Sequence, residues 1–241
     1  MSSPQGRPGP GTNRLLSLLP SASRERVLMR AEPVDLVFGA RLLCEGDRIE
    51  HVWFPRSGVV SLMVLMEDGR GVDAATVGFE GFVGTPLVLG ERLNPYEATV
   101  QVGGDALRLS ADDFLTLLEG DNAMRDTLLR YIEVLLIQTT RTAACNQLHE
   151  VEERLARWLL HSHDWVWKDR FKLTQDFLAI MLGVRRPAVT IAAGALQQAG
   201  LITYRHGIIS IVDQQGLEDA ACEDYAAIRD AFERLLPLPA M

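Results

Sequence analysis

The chain has 241 residues, of which 47% are hydrophobic and 23% are charged, a composition typical of globular proteins and outside the disordered and collagen-like classes. A membrane-spanning protein is also excluded, because the longest strongly apolar run covers only residues 59–66 and a membrane helix needs ~20 such residues. A chain of this length can bury roughly 70% of the surface of its unfolded form, so a core can form without disulfides or structural metal.

The cysteines and the overall charge give two further expectations. Cys44, Cys145 and Cys222 lie far apart, and an odd number at such spacing predicts neither a disulfide framework nor a zinc site. We therefore expect no bound metal and a cytoplasmic, reducing location. The net charge of −8 argues against a nucleic-acid partner, because phosphate binding draws on lysine and arginine.

The amino-terminal half has the pattern of a β-rich domain. Residues 1–13 are rich in proline and glycine and predict a disordered tail, and we assign residues 14–120 to a β-roll sensor domain. Short helices are predicted between residues 14 and 32. Between residues 34 and 109, short apolar or β-branched runs alternate with turn residues and predict an all-β barrel or sandwich, with a hairpin turn at residues 67–71.

Beyond Ser110, a predicted helix cap, the pattern becomes helical. A stretch from Asp121 to about His161 contains no glycine or proline and is too long for one ordinary helix, so we predict two helices and assign residues 121–148 to dimerisation. Positions on this helix recur at alternating spacings of three and four, as in a coiled-coil seam. The seam consists of Leu129, Ile132, Leu136, Thr139, Ala143 and Asn146.

The alternative for this helix is that it packs only on its own β-domain. Leu128 and Leu135 lie beside the row of Leu129 and Leu136, so two of its faces are apolar. One stripe can contact the barrel and the other a partner helix. We therefore predict a homodimer.

Residues 149–241 are predicted to form a winged helix-turn-helix domain with an extra helix from residue 215 to 236, which braces the wing. In the segment LTQDFLAIMLGVRRPAVTIAAGALQQAGLI, Thr174 caps a short helix and Gly183 permits a tight turn. Pro187 is acceptable in the first turn of the next helix, because amides there have no intrahelical partner. A β-hairpin wing follows.

The charge of this segment departs from the average of the chain. Residues 168–212 hold six lysines and arginines against two aspartates, a local charge of +4 that is the electrostatic footprint of a DNA contact. Helix pairs of this kind also occur in proteins that never touch DNA, but the wing and the dimer helix favour the DNA reading. The residues expected to contact DNA are Lys172, Thr174, Gln175, Arg185, Arg186, Thr190, Arg205 and His206.

Together these features resemble the Crp/Fnr family of bacterial transcriptional regulators, over about residues 14–212. The resemblance implies an α+β fold: an N-terminal β-roll (a double-stranded β-helix like that of cyclic-nucleotide-binding domains), a long dimerisation helix and a C-terminal winged helix-turn-helix. Arg186 matches the family's base-reading arginine, which is expected to bind guanine O6 and N7. The glutamate that follows in the family is Pro187 here, so a standard operator is not implied and Arg185 or Thr190 can share the reading.

The family's cyclic-nucleotide cassette corresponds to residues 82–98, and its two anchors differ here. Thr85 replaces the ribose-binding glutamate, Tyr96 replaces the phosphate-binding arginine, and Glu97 adds a charge that repels a phosphate. We therefore expect that cyclic AMP does not bind in the usual way and that the effector is another input or none. The effector pocket implied by the resemblance comprises Gly84, Thr85, Tyr96, Glu97, Thr139 and Thr140, although the two helical threonines are equally well explained as spacers in the seam.

The resemblance also implies a mechanism and partners. An input to the β-roll would reorient the DNA-binding domains through a hinge near Glu150, which resembles the family's acidic hinge residue. Double-stranded DNA and a second copy are the expected partners, RNA polymerase is a further candidate, and no membrane is expected.

Other functions have less support in the sequence. Haem binding is a further alternative, and its candidate axial ligands are His51, His149, Cys44 and Cys145. An enzyme is not expected, because the chain lacks phosphate-loop, GxSxG and HExxH motifs and residues 1–148 contain a single histidine. The main rival hypothesis is a β-roll signalling module whose winged helix no longer binds DNA.

Overall fold

The computed structural model describes residues 11–67, 71–166 and 170–237. The first elements of this part are two short helices, α1 (Arg14–Leu18) and α2 (Ser21–Arg30). Asn13 lies within the predicted tail, but its side chain is buried and fixed. Its Oδ1 accepts from the amide of Leu16 at 3.1 Å, and its Nδ2 donates to the carbonyls of Pro55 at 2.8 Å and Gly81 at 2.7 Å. The prediction of a loose tail is therefore wrong at Asn13, because this side chain caps α1 and ties it to the β-domain. Residues 1–10 of the predicted tail lie outside the described residues.

Two antiparallel sheets follow, as the alternation of apolar runs and turns predicted. Their strands are β1 (Glu32–Leu36), β2 (Arg41–Leu43), β3 (His51–Pro55), β4 (Val59–Leu65), β5 (Gly71–Val77), β6 (Glu97–Val102) and β7 (Gly104–Ser110). The strand orders are β1-β7-β3 and β2-β6-β4-β5. Strands β4 and β5 pair from Val60 with Val77 to Leu65 with Gly71, and the predicted turn between them includes residues 68–70, which lie outside the described residues.

A cluster of aromatic rings joins the sheets to the helices that follow. Phe82 lies 5.5 Å from Phe54 and 5.5 Å from Tyr131 between ring centroids, and 5.9 Å from Phe114. All four side chains are fully buried. Truncation of one such ring typically costs about 3–5 kcal/mol, so this cluster fixes the position of the long helix on the β-roll.

Three helices connect the β-roll to the carboxyl-terminal domain: α3 (Ala111–Leu118), α4 (Asn122–Leu148) and α5 (Val151–Val166). Ser110 caps α3 by accepting from the amide of Asp113 at 3.1 Å, and Asp121 caps α4 by accepting from that of Met124 at 2.9 Å. The predicted division of the long helical stretch is confirmed, since α4 and α5 are separated by residues 149–150.

The carboxyl-terminal domain has the predicted helix-turn-helix and wing. Its elements are β8 (Arg170–Lys172), α6 (Gln175–Leu182), α7 (Arg186–Gln198), β9 (Ile202–Arg205), β10 (Ile208–Ile211), α8 (Gln214–Ala220) and α9 (Asp224–Leu235). The three strands form one antiparallel sheet in the order β8-β10-β9. Among the described residues, no single helix is long and apolar enough to cross a membrane, and α6 with α7 reaches that length and composition only as a bent pair.

The single helix expected from residue 215 to 236 is instead two helices. They are separated by residues 221–223, and Cys222 in this break is buried. Helix α8 packs on α5, as a brace of the wing domain would, but α9 packs along α4. Ile228 and Phe232 of α9 belong to the β-roll core, and the guanidinium of Arg14 donates to the carbonyl of Leu236 at 2.6 Å. Helix α9 therefore stabilises the long helix and the β-roll.

The winged domain also packs directly on the β-roll. Met181 of α6 places its sulfur 3.7 Å from the hydroxyl of Ser61 and contacts the amide of Gln101. The rings of Phe177 and Phe38 lie 6.1 Å apart. Helix α6 thus contacts the β-roll, whereas the outer surface of α7 is exposed.

Candidate nucleic-acid interface

Helices α6 and α7 meet at the angle of a helix-turn-helix. Thr174 caps α6 by accepting from the amide of Phe177 at 3.1 Å, and the axes of α6 and α7 differ by 101°. Gly183 in the turn has φ +61°, and a Cβ there would lie 3.2 Å from Cγ2 of Val72. Glycine meets both requirements of this turn, a left-handed backbone and close approach to the β-roll.

The side chain at the amino end of α7 is held by polar neighbours and remains open to solvent. Arg186 is 62% exposed, its Nε donates to Oε1 of Gln175 at 3.2 Å, and its Nη1 lies 3.6 Å from Oδ1 of Asp176. Thr190 follows one turn later on the same face, exposed, and its hydroxyl donates to the carbonyl of Arg186. Arg185 is the exposed residue that precedes α7. This end of α7 thus presents cationic and hydroxyl groups outward.

A groove of about 460 Å³ runs between the start of α6, the start of α7 and the wing. Its lining comprises Thr174, Gln175, Asp176, Arg186, Tyr204, His206 and Gly207. Four of the predicted DNA contacts, Thr174, Gln175, Arg186 and His206, are therefore brought together here.

Tyr204 also lines this groove, although it is not among the predicted DNA contacts. Its hydroxyl donates to the carbonyl of Leu173 at 3.0 Å, and its amide donates to Oε1 of Gln197 at 2.8 Å. Partial burial raises the pKa of Tyr204, so the phenol is neutral at ordinary pH and can still accept a hydrogen bond. An aromatic residue just before the turn of a predicted wing was the available signal.

The predicted cations of the wing lie outside this groove. Lys172 and Arg205 both pair with Ile208, one from each side of β10, so all three side chains point to the same face of the sheet. All three are exposed. The wing turn follows at His206, whose φ is +52°. The structure thus separates a groove at the head of α7 from a cationic face on the wing.

Within residues 82–98, which correspond to the family's cyclic-nucleotide cassette, Thr85 and Tyr96 bind each other. The hydroxyls of Thr85 and Tyr96 are 3.0 Å apart, and burial raises the pKa of Tyr96 to about 12. Gly84 has φ +114°, and a Cβ there would lie 2.7 Å from Cγ1 of Val52. The two positions to which the resemblance assigns ribose and phosphate binding therefore hold neutral side chains whose hydroxyls bind each other.

The other residues of the predicted effector pocket do not join this pair. The carboxylate of Glu97 accepts from the hydroxyl of Thr99 at 2.9 Å and lies 3.6 Å from Nη1 of Arg41. Thr139 and Thr140 each donate to the backbone carbonyl four residues earlier, at 2.8 Å. Within the described residues, neither threonine forms a hydrogen bond with the cassette, and the effector-contact and spacer interpretations both stay predictions.

The two apolar stripes of α4 have different environments. Leu128 and Leu135 are buried in the β-roll core, as predicted for one stripe. In the seam, Leu129 is 40% exposed and Leu136 is 65% exposed. Ile132 and Thr139 are half-buried, and Ala143 is exposed.

The predicted hinge residue lies at the break between α4 and α5. The amide of Glu150 donates to Oε2 of Glu153 at 2.9 Å, which caps the start of α5. Of the four haem-ligand candidates, Cys145 and His149 come together with Cys222 and Asp224 beside this break. His51 and Cys44 do not belong to that group.

Comparison with known families identifies both halves of the chain. A model described as the cyclic nucleotide-binding domain matches residues 34–121, and one described as the Crp-like helix-turn-helix domain matches residues 153–220. Together they cover more than half of the chain. No curated protein matches it.

Solved structures share the fold at low identity. FixK2 from Bradyrhizobium japonicum has a TM-score of 0.67 and 15% identity, with 80% of this chain and 98% of that chain covered. The regulator CLP of Xanthomonas campestris, described as c-di-GMP responsive, has a TM-score of 0.64 and 18% identity, with 80% and 99% covered. A CRP-family regulator from Thermus thermophilus has a TM-score of 0.65 and 18% identity, with 78% and 96% covered.

Proposed function

This chain belongs to the Crp/Fnr family of transcriptional regulators, and on that basis we propose that it is a homodimer that binds double-stranded DNA and reads the major groove with α7. The observation that carries the proposal is the convergence of Thr174, Gln175, Arg186 and His206 on one open groove at the amino end of α7. Recognition helices present this end to base edges.

The energetics of Arg186 favour base contact over its present ion pair. The contact with Asp176 joins two exposed groups, and such a pair contributes about 0–1 kcal/mol. A bidentate contact from arginine to guanine is worth about 1–3 kcal/mol of discrimination. Arg186 can therefore leave Asp176 for a guanine, while Gln175 keeps the guanidinium near the groove.

The wing supplies the contacts that do not depend on sequence. Lys172 and Arg205 share an exposed face of the wing sheet, where their charges can meet phosphates beside the groove. The chain as a whole carries −8, so the local cations decide where DNA approaches.

The exposed seam of α4 supports the homodimer. Leu129 and Leu136 point away from the core of their own chain, and a second α4 would cover them. Two α7 helices would then face half-sites about 34 Å apart. Rotation at Glu150 would set their spacing, and RNA polymerase is the further partner proposed for the DNA-bound dimer.

We also propose that the β-roll does not take cyclic AMP in the usual way. Thr85 and Tyr96 offer no charge for a phosphate, and the residue after Tyr96, Glu97, carries a carboxylate. The input is another ligand or none. Because CLP is c-di-GMP responsive, cyclic di-GMP is the second nucleotide to test.

The test of DNA reading uses duplexes that the wild-type protein selects from a random library. Arg186→Ala should weaken binding by about 1–3 kcal/mol and relax preference at one base pair. Lys172→Ala should weaken all sequences about equally and reduce the salt slope by about one. Arg48→Ala, an exposed β-roll cation, is the control.

Two outcomes would contradict this proposal. If Arg186→Ala and Lys172→Ala lose the same affinity on every duplex, α7 does not read bases. If the wild-type protein shows no sequence preference at moderate salt, the rival hypothesis of a signalling module without DNA binding is correct.

A further inference from the structure

A second group of side chains converges at the end of α4, and it takes no part in the proposed DNA contact. Cys145 and His149 lie one turn apart at the end of α4, while Cys222 and Asp224 lie at the start of α9. One potential ligand atom from each residue lies within 4.8 Å of the other three. In sequence, 77 residues separate the two cysteines.

The distances approach those of a four-ligand site. The sulfurs of Cys145 and Cys222 are 3.3 Å apart, the Cys222 sulfur is 3.8 Å from Oδ2 of Asp224, and that oxygen is 3.5 Å from Nδ1 of His149. A tetrahedral ion with two sulfurs at about 2.3 Å separates those sulfurs by about 3.8 Å. The two sulfurs would therefore need to move apart by only about half an ångström.

The histidine is oriented for coordination by a carboxylate behind it. Nε2 of His149 lies 3.1 Å from Oε2 of Glu223, so this nitrogen carries the proton that Glu223 accepts. Nδ1 then presents its lone pair toward the sulfurs, and this atom is buried without a hydrogen bond. A carboxylate behind a ligating histidine is the usual outer contact of metal sites.

Asp224 is also held by a neighbouring side chain, in this case Arg141. Nη1 of Arg141 binds Oδ1 of Asp224 at 3.2 Å, which leaves Oδ2 facing the cluster. Asp224 and the two cysteines are almost entirely buried. A buried carboxylate beside two thiols is costly unless a cation compensates it, and Arg141 contacts only one of its oxygens.

We propose that Cys145, His149, Cys222 and Asp224 bind one divalent zinc-type ion. Two sulfurs, one imidazole nitrogen and one carboxylate oxygen are a closed set of four, as in structural zinc sites. Hard cations such as Mg²⁺ and Ca²⁺ require oxygen ligands and are not suited to this set. Binding requires both thiols in the thiolate form and a neutral imidazole, so the affinity should rise with pH.

Such an ion would join two segments that are distant in sequence. It would tie the last turn of α4 to the first turn of α9, directly beside the break at Glu150. The position of α9 on the long helix would then depend on metal and on the reduced state of both thiols.

The test titrates Zn²⁺ into the full-length, reduced, chelator-treated protein against a competing dye, and records the spectrum with Co²⁺. We expect one ion per protomer and a cobalt spectrum with thiolate charge-transfer bands. Cys145→Ser and Cys222→Ser should each weaken binding at least ~100-fold, as expected for loss of a ligand. Cys44→Ser, at the cysteine outside the cluster, should leave binding unchanged.

A milder variant keeps the test decisive if the serine variants fail to fold. Glu223 is 74% exposed, and Glu223→Gln should lower the affinity about 10- to 100-fold through His149 while leaving the circular dichroism spectrum unchanged. The proposal is overturned if cobalt shows no thiolate bands, or if Cys44→Ser loses as much affinity as the cluster variants. It is also overturned if the reduced protein takes up no ion and oxidation only yields a Cys145–Cys222 disulfide. No step requires DNA, so the result is independent of the proposed function.

Discussion

Replacement of Asp73 by asparagine should change how the stability of this protein depends on pH. Asp73 lies on β5, in the sheet on which α6 of the winged domain packs, and it is buried. Burial raises the pKa of its carboxyl from 3.8 to about 7, while a hydrogen bond from Ser61 and the charge of Arg157 lower it only in part. Asparagine has nearly the shape of the protonated carboxyl and cannot ionise.

The sign and size of the change in the free energy of unfolding depend on the proton that the folded state retains on Asp73. Between about pH 4 and pH 7 the folded protein keeps a proton on Asp73 that the unfolded chain has lost, so the free energy of unfolding falls as the pH rises through this window. About three pKa units at 1.36 kcal/mol each give a ceiling of about 4 kcal/mol, reached above pH 7. Glu80, whose pKa burial also raises to about 7, adds a loss of the same sign.

The assay is urea unfolding of the wild type and Asp73→Asn at several values between about pH 4 and pH 8. Asp73→Asn should raise the free energy of unfolding relative to the wild type, and this increase should be larger at pH 8 than at pH 4 by at least about 1 kcal/mol and at most about 4 kcal/mol. The contribution of Glu80 cancels in this comparison, because both proteins contain it. Asp35→Asn, at an exposed strand position, is the control. Parallel pH curves for the wild type and Asp73→Asn would refute the reasoning.

Two further predictions concern the dimer and the effector. Leu136→Asp places a charge in the exposed seam and should weaken dimerisation at least ~10-fold in analytical ultracentrifugation. Leu89→Asp, at another exposed leucine, should leave dimerisation unchanged. Equal effects of the two variants would show that the seam is not the dimer interface. Calorimetry should show no saturable binding of cyclic AMP at micromolar concentration, because Thr85 and Tyr96 bind each other; saturable heat would contradict the proposed loss of that site.

Local signals in the sequence were sufficient to place the helix-turn-helix. Thr174 and Gly183 act through their own backbone and its immediate neighbours, so a cap and a left-handed turn could be predicted without knowledge of the tertiary structure. The strands of the β-roll were likewise marked by short apolar runs between turn residues. Most residues of the groove beside α7 could also be predicted, because they lie within a few positions of the cap and the turn.

Contacts between distant segments could not be predicted in this way. Cys145 and Cys222 meet only because α9 packs on α4, and no local pattern specifies that packing. The i, i+4 spacing of Cys145 and His149 was a readable signal, but its partners lie on another element. Asn13 was assigned to the tail because its neighbours are proline and glycine, whereas the carbonyls that hold it come from elsewhere in the β-domain.

The contact between Arg14 and the carbonyl of Leu236 has a practical consequence for work on this protein. The first and last described helices are neighbours, and Ile228 and Phe232 fill part of the sensor's interior. A truncation after the wing would remove α9, and with it side chains that belong to the core of the amino-terminal β-roll.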